Sequence, residues 1–228
     1  MKIKFGAIVV DGRGKVGGHV ASKNRGGAYL RTKVTPSNPQ TVYQTQVRSA
    51  FTNFSQGWKS LTQAQRDAWN EAVDNFTSTD IFGDIKKPSG INLYIKLNGV
   101  LQAIGVPTLT NPPLPEEVPA ATSISATASA GGGTLAVTFA PDPVPADTVF
   151  LVECTNQVSA GRNFLKNEFR VLTGLAPAAT SPAAVGADYI ARFGNLTEGL
   201  KIGVRITPVN INTGQKGLGL STTLIVAA

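Results

Sequence analysis

Between residues 38 and 105, apolar side chains recur every three or four positions, the spacing of helices that bury one face. A first helix is predicted to begin at the N-cap Asn38, with Pro39 at its first position, where a missing N–H does no harm. Thr62 and Gln65 are predicted to form the capping box of a second helix. The two apolar stripes are Tyr43, Val47, Ala50, Phe51, Phe54 and Trp58, and then Ala68, Trp69, Ala72, Val73 and Phe76.

Only residues 59–62 separate these two helices, so an antiparallel hairpin with both Trp rings facing inward is expected. A third helix is predicted over residues 90–104, with Gly105 as its C-terminal stop. Residues 80–88 are predicted to form a loop. Residues 37–105 are therefore predicted to be a helical domain.

The pattern changes after residue 119, where Ala, Thr, Val and Ser dominate and helical stripes are absent. Turn sequences rich in Gly, Pro and Asn separate seven strand-like segments, which is typical of a two-sheet sandwich. Residues 120–228 are therefore predicted to be an all-β domain. Its predicted strands are residues 122–129, 134–139, 148–155, 166–173, 188–193, 201–210 and 219–226.

A cluster of prolines lies between these two regions. Five of the chain's 14 prolines fall between residues 107 and 119: Pro107, Pro112, Pro113, Pro115 and Pro119. Such a cluster favours extended polyproline geometry. Residues 106–119 are therefore predicted to be a semi-rigid linker.

Residues 1–36 contain eight basic residues and one acidic residue, Asp11, so their net charge equals the formal +7 of the whole chain. Seven glycines punctuate the same stretch, and glycine loses the most backbone entropy on ordering. Alternating residues at 2–5 and 29–34 predict short strands joined by flexible glycine links. These residues are therefore predicted to form an extended basic arm that becomes ordered against a partner.

The sequence offers little for catalysis or metal binding. Gly12, Gly14 and Gly17 match a dinucleotide-binding pattern, but neither helical periodicity nor a suitable acidic residue follows. His19 and Cys154 are the only residues of their types, so neither a catalytic triad nor a transition-metal site is expected. No apolar run reaches the roughly 20 residues that span a bilayer, and no secretory signal is evident. We expect a non-enzymatic protein made in the cytosol, with no catalytic residue, cofactor, metal ion or membrane contact.

Three interpretations of the arm remain open. An assembly arm would add strands to neighbouring subunits, with main-chain hydrogen bonds supplying affinity and charges supplying register. A nucleic-acid tail would neutralise phosphates and stack aromatic rings on bases. The third interpretation is a solvated, mobile tail. The apolar residues among the basic ones favour assembly, and the predicted partner-binding residues are Lys2, Lys4, Phe5, Arg13, Lys15, Lys23, Arg25, Tyr29, Arg31 and Lys33.

Two parts of the chain resemble known families. Residues 196–210 and the glycine turn that follows look like the sixth and seventh strands of a fibronectin type III or related immunoglobulin-like module. This chain departs from the pattern at Ile202, which stands near the position where those modules commonly carry a corner tyrosine. Residues 12–105 resemble a family of uncharacterised structural proteins of tailed bacteriophages, several from phages of Bacteroidetes-type hosts. The motifs that carry this second resemblance are Asn24-Arg25-Gly26-Gly27, Tyr29-Leu30-Arg31, Thr35-Pro36-x-Asn38-Pro39-Gln40-Thr41 and Trp58-x-x-Leu61-Thr62-x-x-Gln65-Arg66-x-x-Trp69-Asn70.

The phage resemblance implies a virion component, most directly a capsid auxiliary or decoration protein that binds the major capsid protein or other virion subunits. The arm would lie between capsid subunits, and the linker would hold the sandwich outward. A head–tail connector or tail protein, a nucleic-acid-binding protein, a self-associating protein and an exported adhesin that binds glycan or host protein are the alternatives. The expected fold is α+β and multidomain, with an extended basic N-terminal arm, a helical hairpin or three-helix region, and a C-terminal all-β immunoglobulin-like sandwich.

Overall fold

The computed structural model describes residues 1–4, 6, 12–24 and 26–228, and they form a mixed α+β protein. The predicted α+β class is confirmed. Contacts between residues group the chain into two compact units, Met1–Ser49 with Thr77–Lys87 and Ala50–Phe76 with Pro88–Ala228. We call them the N-terminal unit and the main unit. These limits differ from the boundaries predicted at residues 36, 105 and 119.

The N-terminal unit contains an antiparallel sheet in the order β1-β2-β3, made of Gly14–Val16, His19–Asn24 and Gly27–Thr32. A second, two-stranded sheet pairs β4 (Ser78–Thr79) with β5 (Ile85–Lys86). The prediction of a plain loop over residues 80–88 is therefore wrong at residues 85 and 86, which form β5. The two short strands form because Asp80 closes the turn between them, accepting backbone hydrogen bonds from Phe82 and Asp84.

Helix α1 (Val42–Ser60) begins later than the sequence predicts. Thr41 caps it: its Oγ1 accepts from the backbone N–H of Gln44 at 3.3 Å, and its carbonyl accepts from Thr45 at 2.9 Å. Gln40, at φ 48°, lies in the left-handed region and cannot continue a helix from Asn38. The predicted apolar stripe is also divided, because Phe54 is buried while Tyr43, Val47 and Phe51 are exposed.

Two further helices complete the helical part of the main unit. Helix α2 (Gln63–Ala72) has the predicted capping box between Thr62 and Gln65, and α3 (Gly90–Ala103) ends just before the predicted Gly105. Tyr94 of α3 lies between both tryptophans, with ring centroids 5.6 Å from Trp58 and 5.4 Å from Trp69. The buried core of these helices is Phe54, Leu61, Trp69, Phe76, Leu93, Tyr94 and Leu97.

The β part of the main unit has two antiparallel sheets, in the orders β10-β7-β6 and β12-β11-β8-β9. Both sheets contribute side chains to one core, such as Val137 and Phe139 from β7 and Phe150 and Ile206 from β8 and β11. The strands are β6 (Ser123–Ser129), β7 (Thr134–Ala140), β8 (Thr148–Cys154), β9 (Arg170–Leu175), β10 (Ala183–Ala184), β11 (Lys201–Asn210) and β12 (Leu220–Ile225).

Two predicted strands differ from this arrangement. Residues 188–193 are helical and belong to α4 (Gly186–Phe193), because Tyr189 and Phe193, four residues apart, share the face that packs on the core. The strand predicted over residues 166–173 begins only at Arg170. The preceding residues form a turn that is closed by the bond from Glu168 N to Leu165 O.

The predicted linker is tied to the rest of the main unit on both sides. Trp69 Nε1 donates to Thr110 O at 2.9 Å. Asn98 Nδ2 donates to Leu109 O at 3.2 Å, and the Leu109 N–H donates to Asn98 Oδ1 at 2.6 Å. Further along, the Glu116 backbone N–H donates to Gln215 Oε1 at 2.8 Å. Residues 106–119, predicted as a semi-rigid linker, therefore connect α2 and α3 to the loop after β11.

Candidate assembly surface on the N-terminal unit

The three-stranded sheet brings several predicted partner-binding residues to one face. Lys15 of β1 lies opposite Val20 of β2, which lies opposite Arg31 of β3. Residues directly opposite each other in a sheet, and residues two apart in a strand, point to the same side. Lys15, Arg31 and Tyr29 therefore share a face, which we call the basic face, whereas Lys23 lies on the opposite face.

The N-terminal residues run along the outer edge of β3. The Met1 ammonium donates to Leu30 O and the Leu30 N–H donates to Met1 O, both at 2.8 Å, and the Ile3 N–H donates to Ala28 O at 3.0 Å. Lys2 pairs with Tyr29, which places Lys2 on the basic face as well. The arm is therefore not extended in its described part, because the chain folds back and pairs with itself.

Two acidic side chains of the β4–β5 turn hold the N-terminal segment. Asp80 Oδ2 lies 3.4 Å from Lys2 Nζ and 3.2 Å from Lys86 Nζ, and Asp84 lies 2.9 Å from Lys4 Nζ. Lys4 also lies over the Phe82 ring, 5.2 Å from its centroid. The sequence analysis missed Asp80 and Asp84 as binding residues. The only signal for them was their spacing around Gly83 in a turn.

These contacts shift two pKa values. Burial by itself raises the pKa of the Asp80 carboxyl, but the N–H groups of Phe82 and Asp84 and the charge of Lys2 outweigh it and lower the pKa below its ordinary value. The hydrogen bond to Asp84 raises the pKa of the Lys4 ammonium. Both shifts favour the charged forms that hold this turn against the N-terminal segment.

No described apolar residue of the N-terminal unit is buried. Its exposed large apolar side chains are Met1, Val16, Val34, Val42, Tyr43, Val47, Ile81, Phe82 and Ile85. The N-terminal unit has eleven basic and three acidic residues, which give it a net charge of +8. The main unit has ten basic and eleven acidic residues, and its net charge is −1. The N-terminal unit is therefore a strongly cationic surface with apolar side chains and no core within its described part.

The remaining predicted residues are distributed as follows. Phe5 and Arg25 lie outside the described residues. Arg13 precedes β1, and Lys33 follows β3, where its N–H donates to Gly18 O at 2.8 Å. Lys2 and Lys4 form ion pairs with the acidic turn, whereas Lys15 and Arg31 are exposed residues of the basic face.

Two residues considered for other chemistry, Cys154 and His19, belong to different units. Cys154 is fully buried in β8, where burial and the neighbouring Glu153 raise the pKa of its thiol to about 12. His19 is exposed at the start of β2. Over the residues described, no three His, Cys, Asp or Glu side chains come together as a metal site, and no helix is long and apolar enough to cross a membrane.

Comparisons with family models, with curated proteins and with solved structures give no match for this chain.

Proposed function

We propose that this chain is a non-enzymatic structural component of a tailed-phage virion, a capsid auxiliary or decoration protein that binds neighbouring subunits through its N-terminal unit. The observation that carries the proposal is that this unit exposes large apolar side chains, buries none of its described apolar residues and has a charge of +8. The phage-like motifs in residues 12–105 supply the setting.

The energetics of the unit support a binding role. A sheet of three short strands needs an apolar face covered by other structure to be stable in water. Each exposed Val, Ile or Phe that a partner covers fully contributes about 1.5–3 kcal/mol. Val16, Ile81 and Ile85 are each more than 70% exposed, so a partner that covered them would supply the burial that the unit lacks.

The charge favours an acidic partner. A unit of charge +8 repels a second copy of itself, which disfavours self-association through this surface. An acidic subunit surface would be attracted to the same charge, and its apolar groups would cover the exposed side chains. The major capsid protein or another virion subunit is therefore the proposed partner.

We infer that the two sheets of the main unit form an immunoglobulin-like sandwich. Counted from β6, the first, second and fifth strands share one sheet, and the third, fourth, sixth and seventh share the other. The A, B, E and C, F, G strands of immunoglobulin domains divide in the same way, and the fourth strand lies beside the third, in the sheet to which variable-type domains add the C′ strand. The short helix α4 precedes the sixth strand, and its buried Tyr189 hydroxyl donates to Thr155 O at 3.1 Å.

Charge reversal on the basic face tests the assembly proposal. The double variant Lys15→Glu/Arg31→Glu should no longer co-sediment with particles of the phage to which the protein belongs. Both side chains are exposed on the basic face, so their reversal replaces attraction to an acidic subunit by repulsion. The matched control Lys59→Glu/Lys216→Glu makes the same change of charge at exposed positions of the main unit and should still co-sediment. Equal incorporation of both variants would refute the proposal.

A nucleic-acid-binding role is the second candidate, because Lys15, Arg31 and Tyr29 lie on one face as a phosphate and base contact would require. Gel-shift assays at low and high salt distinguish the two. Tight DNA binding by the isolated protein that weakens steeply with salt would favour this candidate. Particle binding without a gel shift would favour assembly.

A further inference from the structure

A groove lies on the surface of the main unit. It is formed by β11, β12 and the loop that precedes β9, and its volume is about 670 Å³. This volume is in the range of small-molecule sites. The lining residues are Asn163, Phe164, Leu165, Lys166, Phe169, Arg205, Gly219, Ser221, Thr222 and Thr223.

The guanidinium group of Arg205 is held in a fixed position in this groove. Its Nε donates to Glu153 Oε2 at 2.7 Å, and Thr207 Oγ1 donates to the same oxygen at 3.2 Å. The guanidinium also lies over the Phe169 ring, 4.5 Å from the centroid. Within the described chain, its Nη atoms have no hydrogen-bond partner. Arg205 is therefore a preorganised donor whose two Nη groups are available to a carboxylate.

The groove has an excess of positive charge. Glu153 balances Arg205, while Lys166 is exposed and has no acidic partner among the described residues. The Nζ of Lys201, which does not line the groove, donates to Asn163 Oδ1 and to Arg162 O, both at 3.1 Å. The acidic group nearest in the loop, Glu168, is paired with Arg162. An anionic ligand is therefore favoured over a neutral or cationic one.

The uncharged part of the lining suits a ring that carries hydroxyl groups. Ser221 and Thr223 of β12 and the amide of Asn163 offer hydrogen-bonding groups. The Phe164 side chain is 68% exposed, so its ring is open to contact with the C–H face of a ligand. A nucleobase would gain most from stacking between two rings, but one face of the Phe169 ring is already covered by Arg205.

We propose that this groove binds an acidic saccharide, a sugar ring that bears a carboxylate. The carboxylate binds Arg205 and Lys166, the ring hydroxyls bind Ser221, Thr223 and Asn163, and the apolar face of the ring packs on Phe164. The site lies wholly within the main unit. It is independent of the assembly role proposed for the N-terminal unit.

The test uses the full chain labelled with ¹⁵N and titrated with trigalacturonic acid and with N-acetylneuraminic acid. At least one should shift the amide signals of residues 163–169 and 219–223 saturably at millimolar concentration. The fully methyl-esterified trigalacturonate should bind at least about tenfold more weakly, because a hydrogen bond to a charged group contributes a factor of about ten or more.

Two exposed groove residues and two matched controls complete the test. Phe164→Ala and Lys166→Gln should each weaken binding about tenfold. Leu114→Ala and Lys216→Gln change an apolar and a basic side chain that are also exposed but lie outside the groove, and they should leave affinity unchanged. The proposal is overturned if neither sugar acid shifts the groove signals, or if the ester binds as tightly as the acid. It is also overturned if triglutamate or a nucleoside monophosphate binds more tightly than both sugars.

Discussion

Substitution of Gly214 by Ala tests how the helical and β parts of the main unit are joined. Gly214 lies in the turn after β11 at φ +71°, and a Cβ built there would lie 2.6 Å from Leu97 O and 3.1 Å from Leu101 Cγ of α3. Ordinary contacts begin near 3.4 Å, so either the helix or the turn must move. Only a glycine allows this close approach of the turn to α3.

The expected cost has two parts. An L-residue in the left-handed region costs about 1–2 kcal/mol, and forcing an extra methyl group into a close-packed contact costs about 1–3 kcal/mol. Gly199→Ala is the matched control, because Gly199 has φ +77° and nothing within 4 Å of its built Cβ. The free energy of unfolding of the control should fall only by the cost of the left-handed backbone conformation.

Urea denaturation followed by circular dichroism measures both variants. We expect Gly214→Ala to be less stable than Gly199→Ala by about 1–3 kcal/mol, which corresponds to a midpoint lower by about 0.5–1.5 M at an unchanged slope of about 2 kcal/mol/M. If the two variants unfold within about 0.5 kcal/mol of each other, α3 does not pack on the turn as described.

Three further results are expected. Because the folded structure lowers the pKa of Asp80, the stabilisation that this carboxylate gives to the N-terminal segment is present above its ordinary pKa and is lost as pH falls through the lower folded value. In an NMR titration, the Leu30 amide signal should move in that acidic range. Asp80→Asn should abolish this pH dependence, and an unchanged titration in the variant would contradict the role of Asp80. At pH 8, Cys154 should react with iodoacetamide about a thousandfold more slowly in the folded protein than in urea, because a thiol pKa of about 12 leaves that much less thiolate; comparable rates would show that β8 is not buried. Trp69→Phe removes the donor to Thr110 O and should lower the free energy of unfolding by about 1–3 kcal/mol, and an effect no larger than that of Trp58→Phe would show that residues 106–119 are not held there.

Helices α2 and α3 and the long strand β11 were predictable because their patterns are local. The capping box at Thr62 and Gln65 depends on residues three apart, and the strand predicted at 201–210 has the bounds of β11. Residues 188–193 were predicted wrongly because six residues fit either period, and only packing of Tyr189 and Phe193 on the core selects the helix.

The candidate site was only partly predictable. The concentration of basic residues in the first 36 positions identified the cationic surface. The sequence pattern did not reveal that Asp80 and Asp84, about 80 residues away, bind Lys2 and Lys4, because pairing at such a separation depends on tertiary structure. The groove around Arg205 was missed for the same reason, since its lining comes from two strands and a loop.

The divided apolar stripe of α1 gives one helix two local stabilities. Its second half is held by the buried Phe54, whereas Tyr43 and Val47 in its first half lie in water. Backbone hydrogen bonds without buried side chains open at low free energy, so amide hydrogens near residue 45 should exchange far faster than those near residue 55. A partner that covers Tyr43 and Val47 would extend the stable part of a helix whose other end is already held, and the exchange rates along α1 would report how much of it that partner covers.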